Sequence, residues 1–453
     1  MDLLIRNGVL VSGGRMQQAD LAVAGSRVKD IGRRLRPGKG TRVLDAAGRY
    51  VLPGIIDAHT HYRLHTRGTV TAEDFFTGTR AAACGGVTTV IDFADQVPGF
   101  TLAEAARWRM ADAAGACVDF GLHMVVTRVT PGLELELAQL VAMGIPSVKV
   151  FTTYRQAGYM LEEEDITRLL VMARAVGALV TVHAEDNGVV EESEARMRRE
   201  GKTAPGDHGL SRPAAAEARA IRRVIELARR EEAQVYFVHV STAEGCRAIR
   251  EAREAGQPVW GETCPHYLLL NEDEYRYEEP HRFIMTPPLR TATDQAALWE
   301  GLGDGVLQVV ATDHCAFSLE QKGEAQTCFD TLPGVPGTET LLPLVYSYGP
   351  AMGRFSLPAM VDLLSTMPAK IFGLYPRKGD LQVGSDADVV VFNPEAPREL
   401  RARALHSAAG YTPFEGMTVR GYPEVTILRG KVIYEHGRFC GQEGDGRFIR
   451  GCV

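Results

Sequence analysis

The stretch "SVKVF" at residues 147–151 has the composition of a buried β-strand with a lysine in its middle. Its valines and its phenylalanine favour extended structure, and Gly144 and Pro146 end the segment before it. A lysine is almost never fully buried without a partner, because an isolated buried ammonium lowers its own pKa until it loses the proton. Lys149 is therefore either a lysine whose head reaches solvent or a buried amine with a function.

The same pattern recurs along the middle of the chain. A short β-branched run ends in polar residues, and a segment of helical composition follows most of these runs. The eight runs lie at 54–61, 87–93, 118–126, 147–153, 179–186, 235–242, 258–266 and 306–314. This alternation predicts an α/β protein with parallel strands and right-handed crossovers. Eight units favour a (β/α)8 TIM barrel, with its chemistry at the carboxyl ends of the strands; a doubly wound open sheet is the competing arrangement.

The two ends of the chain have another pattern, in which short strands are separated by glycine turns. Examples are "DLLIRNGVLV" at 2–11 and "DADVVVFNP" at 386–394. Neither end would bury much core alone. We therefore predict a small, discontinuous, sandwich-like β-rich domain built from residues 1–52 plus 377–453. The catalytic barrel then spans residues 53–376.

Composition excludes several classes of function. The 453 residues carry a formal net charge of −7 with both signs interspersed, which argues against a nucleic-acid-binding surface. No window has eighteen uninterrupted apolar residues and the N-terminus lacks a signal-peptide pattern, so neither a membrane span nor secretion is expected. The eight cysteines form no CxxC pair, and this favours a reducing cytoplasm.

Polar residues collect at the predicted carboxyl ends of the strands. The first run ends in "HTH", and strand alternation puts both of its histidines on one face. In a barrel, six groups that are distant in sequence would converge at one mouth: His59, His61, Lys149, His183, His239 and Asp313. Imidazoles and a carboxylate are ligands that zinc, manganese or cobalt accepts. A single strand histidine is more often structural, so the convergence carries this hypothesis; His123, His266 and His314 are interpreted as structural.

The barrel offers an explanation for Lys149. A lysine kept neutral by burial can add carbon dioxide and become a carbamate. This replaces a cation with an anion whose two oxygens can bridge two metal ions about 3.5–4 Å apart. We therefore expect a modified lysine, N6-carboxylysine, at position 149.

The motifs together resemble those of the cyclic amidohydrolases in the amidohydrolase superfamily. The resemblance rests on "DAHTH", "VKVF", "VHAED", "VHVST" and "ATDH" and on the C-terminal "PAKIFGLYPRKGDLQVGSDADVVVFNP". It covers essentially the whole chain. Within this group, "IDFADQVPG", "KVFTTY", "FIMTPPLR" and "YTPFEG" are most similar to the dihydropyrimidinase and D-hydantoinase branch.

The resemblance implies a binuclear metal centre. His59 and His61 would bind the more buried of two divalent ions, and His183 and His239 the more exposed one. Carbamylated Lys149 would bridge the two ions. Zinc is the expected metal, with manganese or cobalt as alternatives.

The resemblance also implies roles in the reaction. A hydroxide that bridges the metals attacks the ring carbonyl, and Asp313, which completes the first metal site, passes its proton to the leaving nitrogen. Tyr154 donates a hydrogen bond to the developing oxyanion. The backbone at Thr286 holds the imide edge of the ring. The position of a second backbone clamp is open between Gly334 and Val335, because the loop is shortened here to "LPGVPG" at 332–337.

The substrate is the least determined part of this hypothesis. The expected reaction opens dihydropyrimidines or 5-substituted hydantoins to N-carbamoyl amino acids. Arg63, two residues after His61, has the spacing at which dihydroorotases and some allantoinases carry a substrate-binding arginine, so those activities are the alternative. Arg63 could equally be a loop arginine in solvent. A non-catalytic interaction homologue, like the collapsin response mediator proteins, is disfavoured because all six ligand positions are filled. Enzymes of the family that this chain resembles are commonly tetramers, so a homotetramer is expected. We also expect a cytoplasmic protein without nucleic-acid or membrane partners.

Overall fold

The computed structural model describes residues 1–323 and 325–452. Eight parallel strands form its central sheet, and each pairs with the next along the chain. We number them barrel strands 1 to 8: Ile55–Thr60, Val87–Ala94, Asp119–Val125, Ser147–Phe151, Leu179–His183, Val235–Phe237, Val259–Thr263 and Val309–Val310. A parallel bridge between Thr60 and His314 closes the sheet on itself. The structure is thus a (β/α)8 barrel, which confirms the predicted fold class and excludes the open sheet.

Helices cover the outside of the barrel and alternate with its strands. The longer ones are Phe75–Cys84, Leu102–Asp112, Leu133–Met143, Glu163–Val176, Asn187–Glu200, Ala214–Arg230, Ala243–Glu254 and Ala292–Gly303. Shorter ones are His208–Ser211, Pro265–Leu269, Leu319–Gly323, Leu341–Tyr348, Leu357–Val361 and Met367–Ile371, and Asp362–Thr366 is a π-helical turn. In Ala214–Arg230 the buried Ile221, Val224 and Ala228 recur at helical spacing, so one face packs on the barrel while charged residues face water.

A second sheet of nine strands contains segments from both ends of the chain. The strands at its two edges are Arg27–Gly32 and Arg438–Phe439. The strands are Leu3–Ser12, Arg15–Ala24, Arg27–Gly32, Arg42–Asp45, Tyr50–Pro53, Val389–Asn393, Tyr422–Leu428, Lys431–Glu435 and Arg438–Phe439. The N- and C-terminal parts join where Tyr50–Pro53 pairs antiparallel with Val389–Asn393. The β-rich domain from both ends is confirmed, whereas its exact boundaries stay a prediction.

Residues 446–451 pack against the barrel rather than continuing this sheet. Backbone N–H groups of Gly446 and Ile449 donate to the carbonyls of Ala116 and Phe120 at 2.9 and 2.7 Å. The amide of Gly451 donates to Gly144 at 2.9 Å. The tail therefore lies at the amino ends of barrel strands 3 and 4, opposite the mouth where the predicted site lies.

A buried ionic cluster connects the barrel to the β-rich domain at this lower end. The Nζ of Lys378 lies 2.5 Å from a carboxylate oxygen of Asp119 and of Asp388, and 3.1 Å from one of Asp386. The lysine head occupies the position where three carboxylates could otherwise hold a metal ion, so this cluster is a structural cross-link. Asp119 also pairs with Arg429.

No helix in residues 1–323 and 325–452 is long and apolar enough to cross a membrane. The eight cysteines, all of which lie in the described part of the chain, are free thiols, and six of them are buried.

Candidate metal centre and active site

The first group of predicted ligands lies at the closure of the barrel. His59 sits near the end of barrel strand 1, His61 directly follows that strand, and Asp313 follows barrel strand 8. One ligand atom from each of the three lies within 4.8 Å of those of the other two. Oδ1 of Asp313 is 3.1 Å from Nε2 of His59 and 3.1 Å from Nε2 of His61. Residues more than 250 positions apart thus meet because the strands are neighbours in the closed barrel.

The second pair of histidines lies beside the first. Nδ1 of His183 and Nε2 of His239 are 2.9 Å apart, and the ring of His239 lies 5.5 Å from the ring of His59. Burial lowers the pKa of both residues, so both are neutral imidazoles at physiological pH, as metal ligands must be. The structure brings all four histidines into one continuous cluster.

Two buried glutamates fix the orientation of these imidazoles. Glu262 accepts from Nδ1 of His59 at 2.8 Å, and Glu185 accepts from Nε2 of His183 at 2.8 Å. Because the outer nitrogen of each ring holds the proton, the inner nitrogen presents its lone pair to the cluster. Carboxylates that orient metal-binding histidines in this way are a general feature of metal sites.

The donor set fits a divalent cation. The lone pair of Nε2 in His59 faces a carboxylate oxygen of Asp313 across 3.1 Å. Two acceptors at this distance repel each other unless a cation or a proton lies between them. Neutral imidazoles with a carboxylate are the ligands that zinc and related ions prefer. The described residues therefore form a candidate metal centre.

Lys149 is buried between the two histidine pairs. Burial lowers the pKa of its amine to about 8. Burial also lowers the pKa of His59 and of His239, and the positive charge of the Lys149 ammonium lowers both further. Its Nζ lies 5.1 Å from the ring centre of Phe93 and 5.4 Å from that of Phe151. Among the described residues no carboxylate oxygen lies within 4.0 Å of this Nζ. A buried amine with a lowered pKa and no ion pair has the properties that carbamylation requires.

Four of the predicted site residues other than glycine have a strained backbone: Arg63, with a φ of 46° in the loop after strand 1, and three residues in or beside the cluster. Tyr154, His239 and Asp313 have φ values of 66°, 39° and 48°, in the left-handed region that residues other than glycine rarely adopt. Such conformations persist only where the surroundings impose them, and they concentrate at functional sites. Here they occur just beyond strands 4, 6 and 8, where the chain turns each side chain toward the mouth.

A cavity of about 350 Å³ opens beside the cluster. Tyr154 and Thr286 both line it, and the Tyr154 ring lies 5.2 Å from that of His183. The guanidinium of Arg212 lies 4.7 Å from the centre of the Tyr154 ring and pairs with Glu185 at 2.5 Å. Burial raises the pKa of the Tyr154 phenol, so the hydroxyl keeps its proton and is available as a donor.

Two other predicted residues are placed differently. The N–H of Gly334 donates to the Ile284 carbonyl at 2.9 Å, and its carbonyl accepts from buried Lys322 at 2.6 Å. Both backbone groups of Gly334 are therefore engaged within the protein, and this geometry gives a substrate clamp there no support. Arg63 is about half exposed and pairs with Asp112 at 2.7 Å. It does not line the cavity, so its role in substrate binding stays a prediction without structural support.

Sequence reasoning missed the groups behind the ligands. Glu262, Glu185 and Arg212 orient the histidines and Tyr154, yet none was singled out. Glu262 had a signal: it is a charged residue inside the strand-like run "PVWGET", as Lys149 is in "SVKVF".

Of the three histidines that were interpreted as structural, two make structural contacts through both ring nitrogens. His123 bonds to Ser147 and to the Ala58 carbonyl at 2.6 and 3.1 Å. His314 pairs with Glu73 through Nε2 and accepts the Gly337 N–H through Nδ1. His266 is buried in the short helix Pro265–Leu269, and its Nε2 has no hydrogen-bond partner among the described residues. Neither His123 nor His314 has a ring nitrogen left to bind a metal ion.

A closed barrel with neutral imidazoles, a carboxylate and a buried lysine at its mouth defines the class of metal-dependent barrel hydrolases. Comparison with known proteins identifies the family. The model of the Amidohydrolase family matches residues 50–433, and the chain belongs to this family.

Relatives are similar over the whole chain. A D-phenylhydantoinase of Escherichia coli O1:K1 / APEC is 40% identical, covering 99% of this chain and 98% of its own. A D-hydantoinase of Ralstonia pickettii is 40% identical, with 99% of each chain covered. The crystal structure of dihydropyrimidinase from Brevibacillus agri NCHU1002 superimposes with a TM-score of 0.97 at 39% identity, covering 100% of this chain and 99% of that one.

Proposed function

We propose that this protein opens the cyclic amide bond of dihydropyrimidines or 5-substituted hydantoins and releases N-carbamoyl amino acids. The similarity to hydantoinases at 40% identity over 99% of the chain makes it a cyclic amidohydrolase. The observation that carries the proposal is the convergence of four imidazoles, Asp313 and a buried lysine at the mouth of the barrel.

The ligands form two sets. His59, His61 and Asp313 would hold one divalent ion, and His183 with His239 would hold a second, with Lys149 as the carbamylated bridge between them. Zinc is the proposed metal, with manganese or cobalt as alternatives. When bound, such a pair of ions lowers the pKa of water so that a hydroxide nucleophile exists at neutral pH.

Asp313 is the proposed proton carrier. Burial alone would raise the pKa of its carboxyl group, but His59 and His61 hold that pKa well below its usual range. The carboxylate is therefore ionised at neutral pH and able to accept a proton from the attacking water. It can then return this proton to the ring nitrogen as the amide bond breaks.

Tyr154 and Thr286 are proposed to hold the ring at the junction of the cluster and the cavity. The protonated Tyr154 hydroxyl can donate to the carbonyl oxygen as negative charge develops on it. Arg212 fixes the position of the phenol ring. Thr286 lines the same cavity, where its backbone can contact the imide edge of a ring.

The remaining expectations stand as proposals. The free thiols support a reducing compartment, consistent with a cytoplasmic enzyme. The homotetramer is tested by light scattering in solution. Allantoin and dihydroorotate remain alternative rings, although the pairing of Arg63 with Asp112 gives them no support.

The decisive experiment is a substrate panel with metal content measured on the same preparation. Dihydrouracil, unsubstituted and 5-substituted hydantoins, allantoin and dihydroorotate are compared by kcat/KM. We expect hydrolysis of the hydantoins or dihydrouracil, about two divalent ions per chain, and loss of activity after chelation with recovery on adding zinc. Activity on none of these rings, with metal bound, would refute the proposal.

A further inference from the structure

The cavity beside Tyr154 is larger than the site that would hold the ring. Its volume of about 350 Å³ falls within the range of pockets for drug-sized ligands, roughly 300–1,000 Å³. Its walls come from the segments that follow barrel strands 1, 4, 5, 7 and 8. The cavity extends outward from Tyr154 and Thr286 to Arg67, Arg198 and Phe329. A substituent on the bound ring would enter this space.

The outer part of the cavity carries two arginines without a carboxylate partner. Nη1 of Arg67 donates to the Phe329 carbonyl at 3.0 Å, and the Arg198 guanidinium lies 3.9 Å above the Phe329 ring. Within residues 1–323 and 325–452, neither forms an ion pair within 4.0 Å. Both cations are thus held at the same residue of the same loop.

The other charges of the cavity compensate one another. Arg155 pairs with Glu162 at 3.1 Å and approaches Glu191 at 3.8 Å. Arg212 pairs with Glu185, and Glu194 also acts on Arg212 by raising its pKa. Arg67 and Arg198 are therefore the two arginines of this lining without a carboxylate partner. Glu194 forms no ion pair within the described residues either, but the lining holds four arginines against two glutamates, so its net charge is positive.

Two buried polar groups in the same lining also lack partners. The side-chain amide nitrogen of Asn187 and Nδ1 of His208 make no hydrogen bond to any described residue, although only 5% and 4% of these residues are exposed. Both residues line the cavity. A buried polar atom without a partner is costly, so this lining is suited to a polar ligand.

We infer that the preferred substrates carry a carboxylate on the ring substituent, and that Arg67 and Arg198 recognise it. This inference rests on the proposed ring-opening function and names its substrate class. The two guanidinium groups would bind the carboxylate, because arginine forks match carboxylate oxygens. The amide of Asn187 would donate to polar atoms nearer the ring. Arg67 and Arg198 would thus bind the substituent carboxylate, whereas Arg63 forms an ion pair with Asp112.

The test compares two substrates of nearly identical shape. One is a hydantoin with a carboxyethyl group on ring carbon 5, and the other carries a carbamoylethyl group in its place. The measured quantity is the ratio of their kcat/KM values. With the metal-loaded enzyme at low ionic strength we expect the acid to be preferred roughly tenfold, and added salt to reduce this preference.

Variants assign the preference to residues. Arg67→Gln and Arg198→Gln should each lower the ratio roughly three- to fivefold, and the double variant should bring it close to one. Arg168→Gln is the matched control, because Arg168 is an exposed arginine of helix Glu163–Val176 that does not line the cavity. Since both substrates are measured on one preparation, partial misfolding cancels in the ratio.

The outcomes separate the inference from the proposed function. Hydrolysis of the neutral hydantoin with no preference for the acid overturns the inference alone. The same holds if Arg63→Gln lowers the ratio while Arg67→Gln and Arg198→Gln do not. Failure to hydrolyse any ring overturns the proposed function.

Discussion

Two buried lysines lie at opposite ends of the same barrel in opposite surroundings. Lys378, at the lower end, is surrounded by the carboxylates of Asp119, Asp386 and Asp388. Lys149, at the mouth, has no carboxylate oxygen within 4.0 Å among the described residues and is flanked by Phe93 and Phe151. Each is only 2% exposed.

The difference separates a structural from a reactive amine. A buried ammonium with three carboxylates is held as a cation, and removing it leaves buried anions without a counter-charge. A buried amine without an anion has a lowered pKa, here about 8, and becomes a nucleophile at neutral pH. The sequence alone does not distinguish them, because what differs is the set of neighbours that the fold supplies.

The largest effect is expected on activity from Lys149→Ala. Loss of the bridging anion should lower kcat/KM by a factor on the order of a thousand or more and reduce bound metal. The melting temperature should fall as well, because a fully buried side chain and the stabilisation by bound metal are both lost. Activity assays, metal analysis and thermal denaturation measure this. A variant that retained full activity and metal would contradict the carbamate bridge.

Lys378→Met should instead reduce stability. Removing the cation from among three buried carboxylates is expected to cost about 3–5 kcal/mol, seen as a lower midpoint of denaturant unfolding. The specific activity of the folded fraction should remain, because the cluster lies at the far end of the barrel. Lys370→Met is the matched control, since Lys370 is exposed and surface changes cost within about 0.5 kcal/mol. Equal midpoints for both variants would refute a cross-linking role.

Glu185→Gln should have an intermediate effect at the mouth. Glu185 orients His183 and pairs with Arg212, so the variant should lose roughly 10- to 100-fold in metal affinity or activity. Glu192→Gln, an exposed position on the following helix Asn187–Glu200, provides the control. Metal titration of both variants measures the loss, and unchanged affinity in Glu185→Gln would remove the proposed orienting role.

The smallest effect concerns pH. With a pKa of about 8, the neutral fraction of the Lys149 amine is about a tenth at pH 7 and about half at pH 8. Because only the neutral amine adds carbon dioxide, recovery of activity in metal-free protein given zinc should be about fivefold faster at pH 8 than at pH 7. Dissolved carbon dioxide must be held constant in this comparison. A rate that is flat or falls with pH would contradict the prediction.

Much of the fold followed from local pattern. The eight β-branched runs all contain barrel strands, although the last two-residue strand, Val309–Val310, is far shorter than its predicted run at 306–314. Strand ends were less predictable because pairing with neighbours, rather than propensity, decides where a strand stops.

The candidate site was predictable only in part. Histidines at strand ends could be assembled because a barrel brings carboxyl ends together. Glu185 and Arg212 could not be predicted as site residues, since their function depends on contacts between different loops. Arg63 shows the same limit: its spacing fits a substrate arginine, but Asp112 on a neighbouring helix holds its side chain.

The sequence by itself determined which chemical groups this protein has and the order of strands that carries them, because periodicity and residue type are local properties. Only the tertiary structure decided which of those groups are paired. In the folded protein Lys149 has no carboxylate partner among the described residues, whereas Lys378 has three. Arg67 and Arg198 both contact Phe329. Charge and pKa depend on the distance to other charges, and those distances are set when segments remote in sequence pack together.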